Sequence, residues 1–261
     1  MTSSMTGTAS HHLPILDGLA KNFEVSAVLL VDNHPTHPWR HRRRKLRKLW
    51  HIGAFGALNG VRMRSWYDPA HFGDVKVPTL EDAIDLCKAS PTLFRSGRTN
   101  SEQTKATMRK AELDVCVSLG NGYIAPSVFS IPHFGMLNVH HEMLPAFKNA
   151  QSVIWQLHEG SANTGYTIHE ISREMDGGRI LHQAPIPICF EPTLGKTVNT
   201  TYATLWEASA TGLAHVLNHF EAHQHNATHQ GPGGHFTTPT FSQYLSIHQQ
   251  WKSLRASSID C

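Results

Sequence analysis

Apolar residues in the first half of the chain form alternating helical and strand-like segments. Leu13, Leu16 and Leu19 recur at helical spacing before residues 23–32, FEVSAVLLVD, an apolar and β-branched run. Such a run is typical of a buried strand in a parallel sheet. The same reasoning predicts further elements: a short strand in TLFRSGR, a buried strand at 113–119, and helices at 78–90 and 100–111, the second with an N-cap from Asn100 and Ser101.

The second half continues the alternation of strands and helices. A strand ends in MLNVH at residue 140, a helix covers residues 150–159, and GYTIHEI and RILHQAPIPI predict two further strands. A long helix follows over residues 197–221. Strands that alternate with helices predict an α/β fold, doubly wound around a mostly parallel sheet.

The start of the chain departs from this scheme. A helix followed by a strand implies an earlier strand, because α/β folds are built from βαβ units. The chain opens instead on Ser, Thr and Gly residues. We therefore expect a fold that lacks its usual first strand, with a natural start upstream of Met1 or poor solubility. We also expect one catalytic domain over 1–222 and a C-terminal extension over 223–261 that packs on it.

The composition narrows the setting of the protein. No apolar run of about 18 residues exists, and the N-terminus lacks a basic region followed by an apolar one, so a membrane span and a secretory signal are disfavoured. We expect a cytoplasmic protein. The four cysteines are far apart and show no metal-binding spacing, which indicates separate reduced thiols.

Seven of the positive charges lie within residues 40–48, inside a predicted basic helix that begins near Trp39. The net charge of the whole chain is +3, and without these seven residues it would be −4. Three interpretations stay open: a patch for phosphate or RNA, a helix on a membrane surface, and a solvated helix. Because the rest of the surface is mildly acidic, a nucleic-acid partner is disfavoured.

Histidine is unusually frequent, with 20 residues. His215, His219 and His223 are spaced by four on a predicted helix, as zinc or nickel ligands can be, but no carboxylate or Cys joins them at a typical spacing. A solvated cluster is favoured, and we expect no metal. In the tail, Tyr244 and Trp251 are favoured to pack on the domain rather than to stack on a base or sugar.

Two polar side chains at the end of a predicted strand carry the candidate chemistry. Asn138 and His140 alternate with Val139, so both point to the same side. An amide and an imidazole there can both stabilise a carbonyl oxygen that becomes an oxyanion, and the imidazole can also move protons. Asp176 precedes two glycines on a later loop, where a carboxylate can orient the imidazole or accept a proton through water.

These residues and their order resemble a known family, the folate-dependent formyltransferases. The family pattern is a strand-end Asn-x-His, then Leu-Pro, then Thr-Gly, then Asp-x-Gly before Ile and Gln. The chain has all of them in order: Asn138 and His140, Leu144-Pro145, Thr164-Gly165, and Asp176 with Gly178, Ile180 and Gln183. The detailed resemblance covers about residues 98–190.

The resemblance implies a formyl transfer from 10-formyltetrahydrofolate to a primary amine, without a metal. Asn138 and protonated His140 would stabilise the oxyanion, while Asp176 would hold His140 and help to remove the amine proton. The backbone of the loop Gly122, Tyr123, Ile124 and Ala125 would hold the pterin, together with Met175 in the loop that leads to Asp176.

The chain departs from the family pattern at the positions that face the acceptor. Where the family has Pro-Ser after the histidine, His141 and Glu142 stand here, and Lys148 and Asn149 replace Arg-Gly or Lys-Gly. We expect His141, Lys148 and Asn149 to bind the substrate, with Lys148 able to meet a phosphate.

The acceptor is the most open part of the interpretation. We favour a small molecule, an amino sugar on a nucleotide, and we expect the length of the chain to argue against a tRNA acceptor. A glycinamide ribonucleotide formyltransferase and a formyltetrahydrofolate hydrolase are the alternatives. A homodimer is left open. The non-enzymatic alternative is a binding protein that uses the basic segment on the same scaffold.

Overall fold

The computed structural model of the chain describes residues 2–5, 13–31, 38–68 and 91–259. The helix predicted at 78–90 lies outside these residues, as do Cys87 and Cys261. The fold below is therefore that of the described residues.

A seven-stranded mixed sheet forms the centre of the fold. Its order is β3-β2-β1-β4-β5-β7-β8, and the pairings from β3 to β5 are parallel, whereas β5, β7 and β8 pair antiparallel. A two-stranded sheet joins β6 to β9. The strands are β1 Thr2–Met5, β2 Ala27–Val31, β3 Thr92–Ser96, β4 Cys116–Leu119, β5 Met136–His140, β6 Phe147–Lys148, β7 Asn163–Glu170, β8 Ile180–Pro187 and β9 Gly234–His235. The predicted α/β class with parallel strands is confirmed.

The prediction of a missing first strand was wrong. Residues Thr2–Met5 form β1, which pairs in parallel with β2 on one side and with β4 on the other. The segment TSSM has no apolar alternation, so the period-2 pattern of a half-buried strand is absent from it. Its extended backbone is instead hydrogen-bonded by the strands on both sides, a contribution that a local pattern does not contain. The expectation of an upstream start rested on this gap and loses its basis.

The described helices include those predicted near residues 100–111, 150–159 and 197–221. They are α1 Leu13–Asn22, α2 Pro38–Arg64, α3 Glu102–Lys110, α4 Pro126–Phe129, α5 Ile154–His158, α6 Leu194–Asn218, α7 Phe220–His225 and α8 Phe241–Ile259, with a 3₁₀ turn at Ser65–Tyr67. The side chain of Ser101 caps α3 by accepting a hydrogen bond from the Thr104 amide. Helix α2 is broken at Gly53, whose φ of 71° is outside the helical region.

One hydrophobic core joins the sheet to α1 and α6. Leu16 and Leu19 of α1 and Leu213 of α6 are fully buried in it, with Val117 of β4 and Leu137 of β5. Burying such side chains stabilises the fold by about 1.5–3 kcal/mol each. Because β4 and β5 are part of this core, the loops that follow them are held on a rigid base.

The C-terminal residues pack against this body. Trp251 of α8 is buried and its Nε1 donates to Thr197 Oγ1 at 3.0 Å, while the Tyr244 and Trp66 rings are 6.4 Å apart. Trp155 Nε1 also donates to the Thr237 carbonyl at 3.0 Å. These contacts agree with packing as the role of the aromatic tail, and the boundary at residue 222 stays a prediction.

The basic helix α2 is largely solvent-exposed. Trp50 is 90% exposed and Leu58 67% exposed, and the charged residues 42–48 are exposed as well. The pKa of Lys48 is lowered, mainly by partial burial and then by the charges of Arg64 and Arg44. No helix in the described parts of the chain combines the length and the apolarity that a membrane crossing needs.

Candidate active site

The site lies where the strand order of the sheet reverses. Strands β2 and β4 flank β1 on opposite sides, and in such sheets ligands bind beyond the carboxyl ends of the strands near the reversal. A cavity of about 500 Å³ is found there, at the carboxyl ends of β4 and β5. Its walls include Gly120 to Ile124 after β4, Asn138 to Glu142 of β5 and the turn that follows it, Asn149 to Ser152, Ser172, Glu174 to Asp176, and Tyr202 and Trp206 of α6.

Asn138 and His140 both line this cavity, as their alternation on β5 predicts. The Nε2 of His140 donates to the Phe147 carbonyl oxygen at 3.1 Å. Since a carbonyl can only accept, Nε2 carries a hydrogen, and the lone pair of a neutral His140 is on Nδ1. The imidazole is therefore held in one orientation on a strand of the core.

His169 fixes the amide of Asn138 from the neighbouring strand. It lies opposite Asn138 in the β5–β7 register, and Asn138 Nδ2 donates to His169 Nε2 at 3.1 Å. The Nδ1 of His169 donates to the Glu170 carbonyl at 2.8 Å, so Nε2 is the acceptor of a neutral ring. Burial, and then the charge of His140, lower the pKa of His169 to about 4. A neutral His169 thus orients Asn138 at physiological pH.

His169 could not be identified from the sequence alone. The strand GYTIHEI was predicted, but no local sequence pattern shows which residue a histidine in a strand contacts. Only the pairing of this strand with β5 brings His169 next to Asn138, and that pairing depends on the antiparallel register of the two strands.

Asp176 lies on the loop between β7 and β8 and lines the same cavity. Its φ of 52° is in the left-handed region, and its Oδ2 accepts a hydrogen bond from the Asn149 amide at 3.0 Å. A Cβ on Gly178 would lie 1.7 Å from the Glu170 carbonyl oxygen. This glycine therefore lets the loop close against the end of its own strand.

Two ion pairs hold this loop. Arg179 binds Glu170 through two nitrogens, at 2.6 and 2.8 Å, across the base of the β7–β8 hairpin. Lys148 donates to Glu174 at 2.9 Å. Because one pair is bidentate and the Lys148 side chain is buried, both restrict the loop that carries Asp176.

The loop after β4 presents its backbone to the cavity. Asn100 holds it from outside: its Nδ2 donates to the Tyr123 carbonyl at 2.9 Å, and its Oδ1 accepts from the Ala125 amide at 2.7 Å. A Cβ on Gly122 would meet nothing within 4 Å, so there is open space beside the backbone. Tyr123 and Met175 are 48% and 45% exposed in the cavity walls, whereas Ala125 stands outside them as the N-cap of α4.

The structure separates the three residues predicted to bind the acceptor. His141 and Asn149 line the cavity, and His141 Nε2 donates to Ser209 Oγ at 3.1 Å. Lys148 is buried next to the loop of Asp176, with its charge paired to Glu174. A phosphate contact by Lys148 would require that pair to open. Further wall residues were not predicted to bind a ligand, among them Tyr67, His169, Tyr202 and Trp206. Glu142, next to His141, lines the cavity as well.

The histidine cluster of the tail has a fourth member. The His215 ring lies 5.0 Å from His219 and 5.1 Å from His223, and His182 of β8 lies 6.1 Å from His215. His223 Nδ1 donates to the Leu181 carbonyl at 3.0 Å. Among the described residues, no group of three or more His, Cys, Asp or Glu side chains is arranged to hold a metal ion.

The sheet order and the residues of this cavity define a formyltransferase-like α/β protein, and comparison with known proteins agrees. Residues 66–217, more than half of the chain, match the Formyl transferase family. The chain belongs to that family.

Curated relatives match over only part of their length. The methionyl-tRNA formyltransferase of Deinococcus radiodurans is 39% identical over 84 residues, which are 32% of this chain and 26% of the relative. That of Listeria welshimeri is 27% identical over 245 residues, 94% of this chain and 65% of the relative. The chain thus spans about a quarter to two thirds of the length of these relatives.

Solved structures share the fold. Glycinamide ribonucleotide transformylase 1 from Symbiobacterium toebii is 14% identical, with a TM-score of 0.54 over 89% of this chain and 91% of the other. WlaRD, a sugar 3N-formyl transferase determined in the presence of dTDP and 5-N-formyl-THF, is 15% identical, with a TM-score of 0.52 over 95% of this chain and 76% of the other. At these identities the likeness concerns the fold alone.

Proposed function

We propose that this chain transfers a formyl group from 10-formyltetrahydrofolate to a primary amine, an amino sugar on a nucleotide in the first instance. One observation carries the proposal. Asn138, His140 and Asp176 line a single cavity together with the backbone of the loop after β4, in a chain of the Formyl transferase family. Their shared cavity supports the assignment of these three residues to one site, which the resemblance in sequence implies.

The formyl donor would occupy the side of the cavity formed by the loop after β4 and the loop of Asp176. A pterin ring presents hydrogen-bond donors and acceptors along its edge, and the backbone of Gly122 to Ile124 can offer both kinds of group. The open space beside Gly122 suits a flat ring. Tyr123 and Met175 would cover its faces, since both side chains are partly exposed in the cavity. WlaRD, which shares the fold, was solved with a formylated folate.

Asn138 and His140 would act on the formyl oxygen. When the amine nitrogen attacks the formyl carbon, negative charge develops on that oxygen, and donors fixed in advance stabilise it. The amide of Asn138 is oriented by His169, and the ring of His140 by the Phe147 carbonyl. The bond from the formyl carbon to the donor nitrogen then breaks, and that nitrogen takes up a proton.

Asp176 would remove the proton that the attacking nitrogen loses on forming its new bond. Its carboxylate is held by the Asn149 amide at the cavity wall, and an ordered water can relay the proton.

A second acceptor, methionyl-tRNA, is favoured by the relatives. Methionyl-tRNA formyltransferase is the name of the curated relatives described above. Both acceptors, the amino sugar and methionyl-tRNA, present a primary amine. The same catalytic residues could therefore act on either, and the two acceptors differ in the groups around the amine.

The test is formyl transfer by the whole chain. Purified protein is incubated with 10-formyltetrahydrofolate and, in separate reactions, a nucleotide amino sugar, glycinamide ribonucleotide, methionyl-tRNA or no amine, and release of tetrahydrofolate is followed. We expect transfer to at least one amine, and a loss of about 10²- to 10⁴-fold in His140→Ala. His225→Ala, at an exposed histidine of α7, is the matched control. Equal turnover in His140→Ala and wild type would contradict the mechanism.

A further inference from the structure

One end of the cavity is lined by aromatic rings around a carboxyl group. Tyr202 lies 5.0 Å from Tyr67 and 6.0 Å from Trp206, both edge to face, and the ring of His141 lies 4.1 Å from that of Trp206. Glu142 belongs to the same wall. His141 and Glu142 follow β5 directly, Tyr202 and Trp206 lie on α6, and Tyr67 belongs to the 3₁₀ turn.

Glu142 is buried and incompletely bonded. Its side chain is 1% exposed, and its Oε2 accepts a hydrogen bond from Gln156 Nε2. Its Oε1 has no hydrogen-bond partner among the described residues. Burial raises the pKa of Glu142 well above its usual range, with a smaller opposing effect from Gln156. A buried carboxyl oxygen without a partner is unfavourable, so this wall has one position reserved for a further polar group.

The rings around Glu142 are fixed and electron-rich at their faces. Tyr67 donates its hydroxyl to the Ser152 carbonyl at 2.7 Å, so the ring is held beside the carboxyl. Burial raises the pKa of Tyr202 to about 12, with Glu142 adding to the shift and a hydrogen bond with Trp206 opposing it. Both phenols therefore stay neutral. Neutral aromatic rings attract a cation by their faces.

The charged residues of the cavity walls also favour a cation as the ligand. Its described walls include Glu142, Glu174 and Asp176 and no lysine or arginine. A phosphate would meet no lysine or arginine in these walls, whereas an ammonium group would meet carboxyl groups. The nearest lysine in sequence, Lys148, already pairs with Glu174.

We propose that Glu142, with Tyr67, Tyr202 and Trp206, forms the subsite that binds the acceptor as an alkylammonium ion beside His140. This inference rests on the proposed function and adds to it the residues that would hold the attacking amine. One proton then passes from the ammonium to the carboxylate, which gives a neutral amine for attack and the neutral acid that burial favours.

The test uses cyclohexylammonium chloride, a compact primary ammonium probe, titrated into the whole chain by calorimetry without folate. We expect binding to wild type, and a dissociation constant about tenfold or more higher in Glu142→Gln, which keeps the shape and removes the charge. Trp206→Leu should weaken the probe as well, through the loss of an aromatic face. Glu159→Gln, at an exposed carboxylate near the same segment, is the control and should bind as wild type does.

Cyclohexanol has a similar shape but no charge, so it serves as the neutral control ligand. We expect it to bind more weakly than the ammonium, and equally to wild type and Glu142→Gln. The inference is overturned if Glu142→Gln binds the ammonium as tightly as wild type, or if cyclohexanol binds as tightly as the ammonium. Thermal unfolding shows which variants are folded. If Glu142→Gln is not folded, the affinity of Trp206→Leu for the ammonium serves as the test, and unchanged binding overturns the inference.

Binding without turnover separates this inference from the proposed function. If wild type binds the ammonium through Glu142 but formylates no amine, the proposed function fails and the subsite stands. If wild type formylates an amine and Glu142→Gln has an unchanged KM for it, the subsite fails and the formyl transfer stands.

Discussion

At the residue scale, the site depends on a hydrogen-bonded chain across two strands. Glu170 accepts from His169, and His169 accepts from Asn138, whose Nδ2 carries a second hydrogen at the cavity wall. Each link is directional, since a carbonyl only accepts and a neutral imidazole has one donor and one acceptor. His169 is thus a positioning residue that must stay neutral to keep Asn138 in its orientation.

This requirement predicts a pH-dependent stability. The unfolded chain binds a proton at His169 near pH 6.5, whereas the folded protein does so only near its pKa of about 4. The stabilisation is therefore complete above pH 6.5 and is lost as the pH falls towards 4, by on the order of 3 kcal/mol. Urea unfolding of wild type and His169→Gln between pH 4 and 7 measures this difference. Glutamine can still accept from Asn138, so parallel curves would show that His169 is not the group that titrates.

At the element scale, the β7–β8 hairpin positions Asp176. The strands pair over their length, Arg179 and Glu170 close the base, and Gly178 lets the loop lie against the Glu170 carbonyl. Asp176 lies in a loop, outside any helix or strand, and the hairpin holds its carboxylate at the cavity. The loop is also where an added methyl group has the least room.

We predict that Gly178→Ala disturbs this loop. The added Cβ would lie 1.7 Å from the Glu170 oxygen, so the backbone must move. We expect a loss of about 1–3 kcal/mol in the free energy of unfolding and a fall in formyl transfer, because Asp176 moves with the loop. Gly231→Ala is the control, since its Cβ would meet nothing within 4 Å. An unchanged unfolding curve for Gly178→Ala would show that the loop accommodates the methyl group at no cost.

At the scale of the whole molecule, the cavity and the basic helix α2 are distinct features. The cavity walls contain residues of β5, α6 and the loops after β4, β5 and β7, with Tyr67 of the 3₁₀ turn and His169 of β7, and the basic residues 42–48 are not among the described walls. Those residues are exposed on a helix that is broken at Gly53. The acidic cavity and the basic helix therefore offer opposite charges to ligands.

We predict that replacing Arg42, Arg43 and Arg44 with Ala leaves formyl transfer to a small amine within about twofold. Exposed substitutions away from caps and ion pairs change stability by about 0.5 kcal/mol or less. Steady-state rates of the triple variant, compared with wild type, check this. Loss of RNA binding in the triple variant, with RNA binding retained in His140→Ala, would instead favour the binding-protein alternative. A large loss of turnover would place α2 in the acceptor site.

The sequence by itself determined the α/β class and most elements, and it indicated Asn138, His140 and Asp176 as candidate site residues. These were accessible because strand alternation, helical spacing and the Asn-x-His pattern are local, and the rest of the pattern is a fixed order along the chain. The same locality explains the error at Thr2–Met5. Four residues without an apolar pattern form the central strand because two neighbouring strands pair with them.

Only the tertiary structure decided which side chains surround the candidate site residues. His169 reaches Asn138 through an antiparallel register, and Tyr67, Tyr202 and Trp206 reach Glu142 from segments far apart in the chain. It also paired Lys148 with Glu174, where the sequence left that lysine available for a phosphate. Contacts of this kind depend on strand register and helix packing, which no window of neighbouring residues contains.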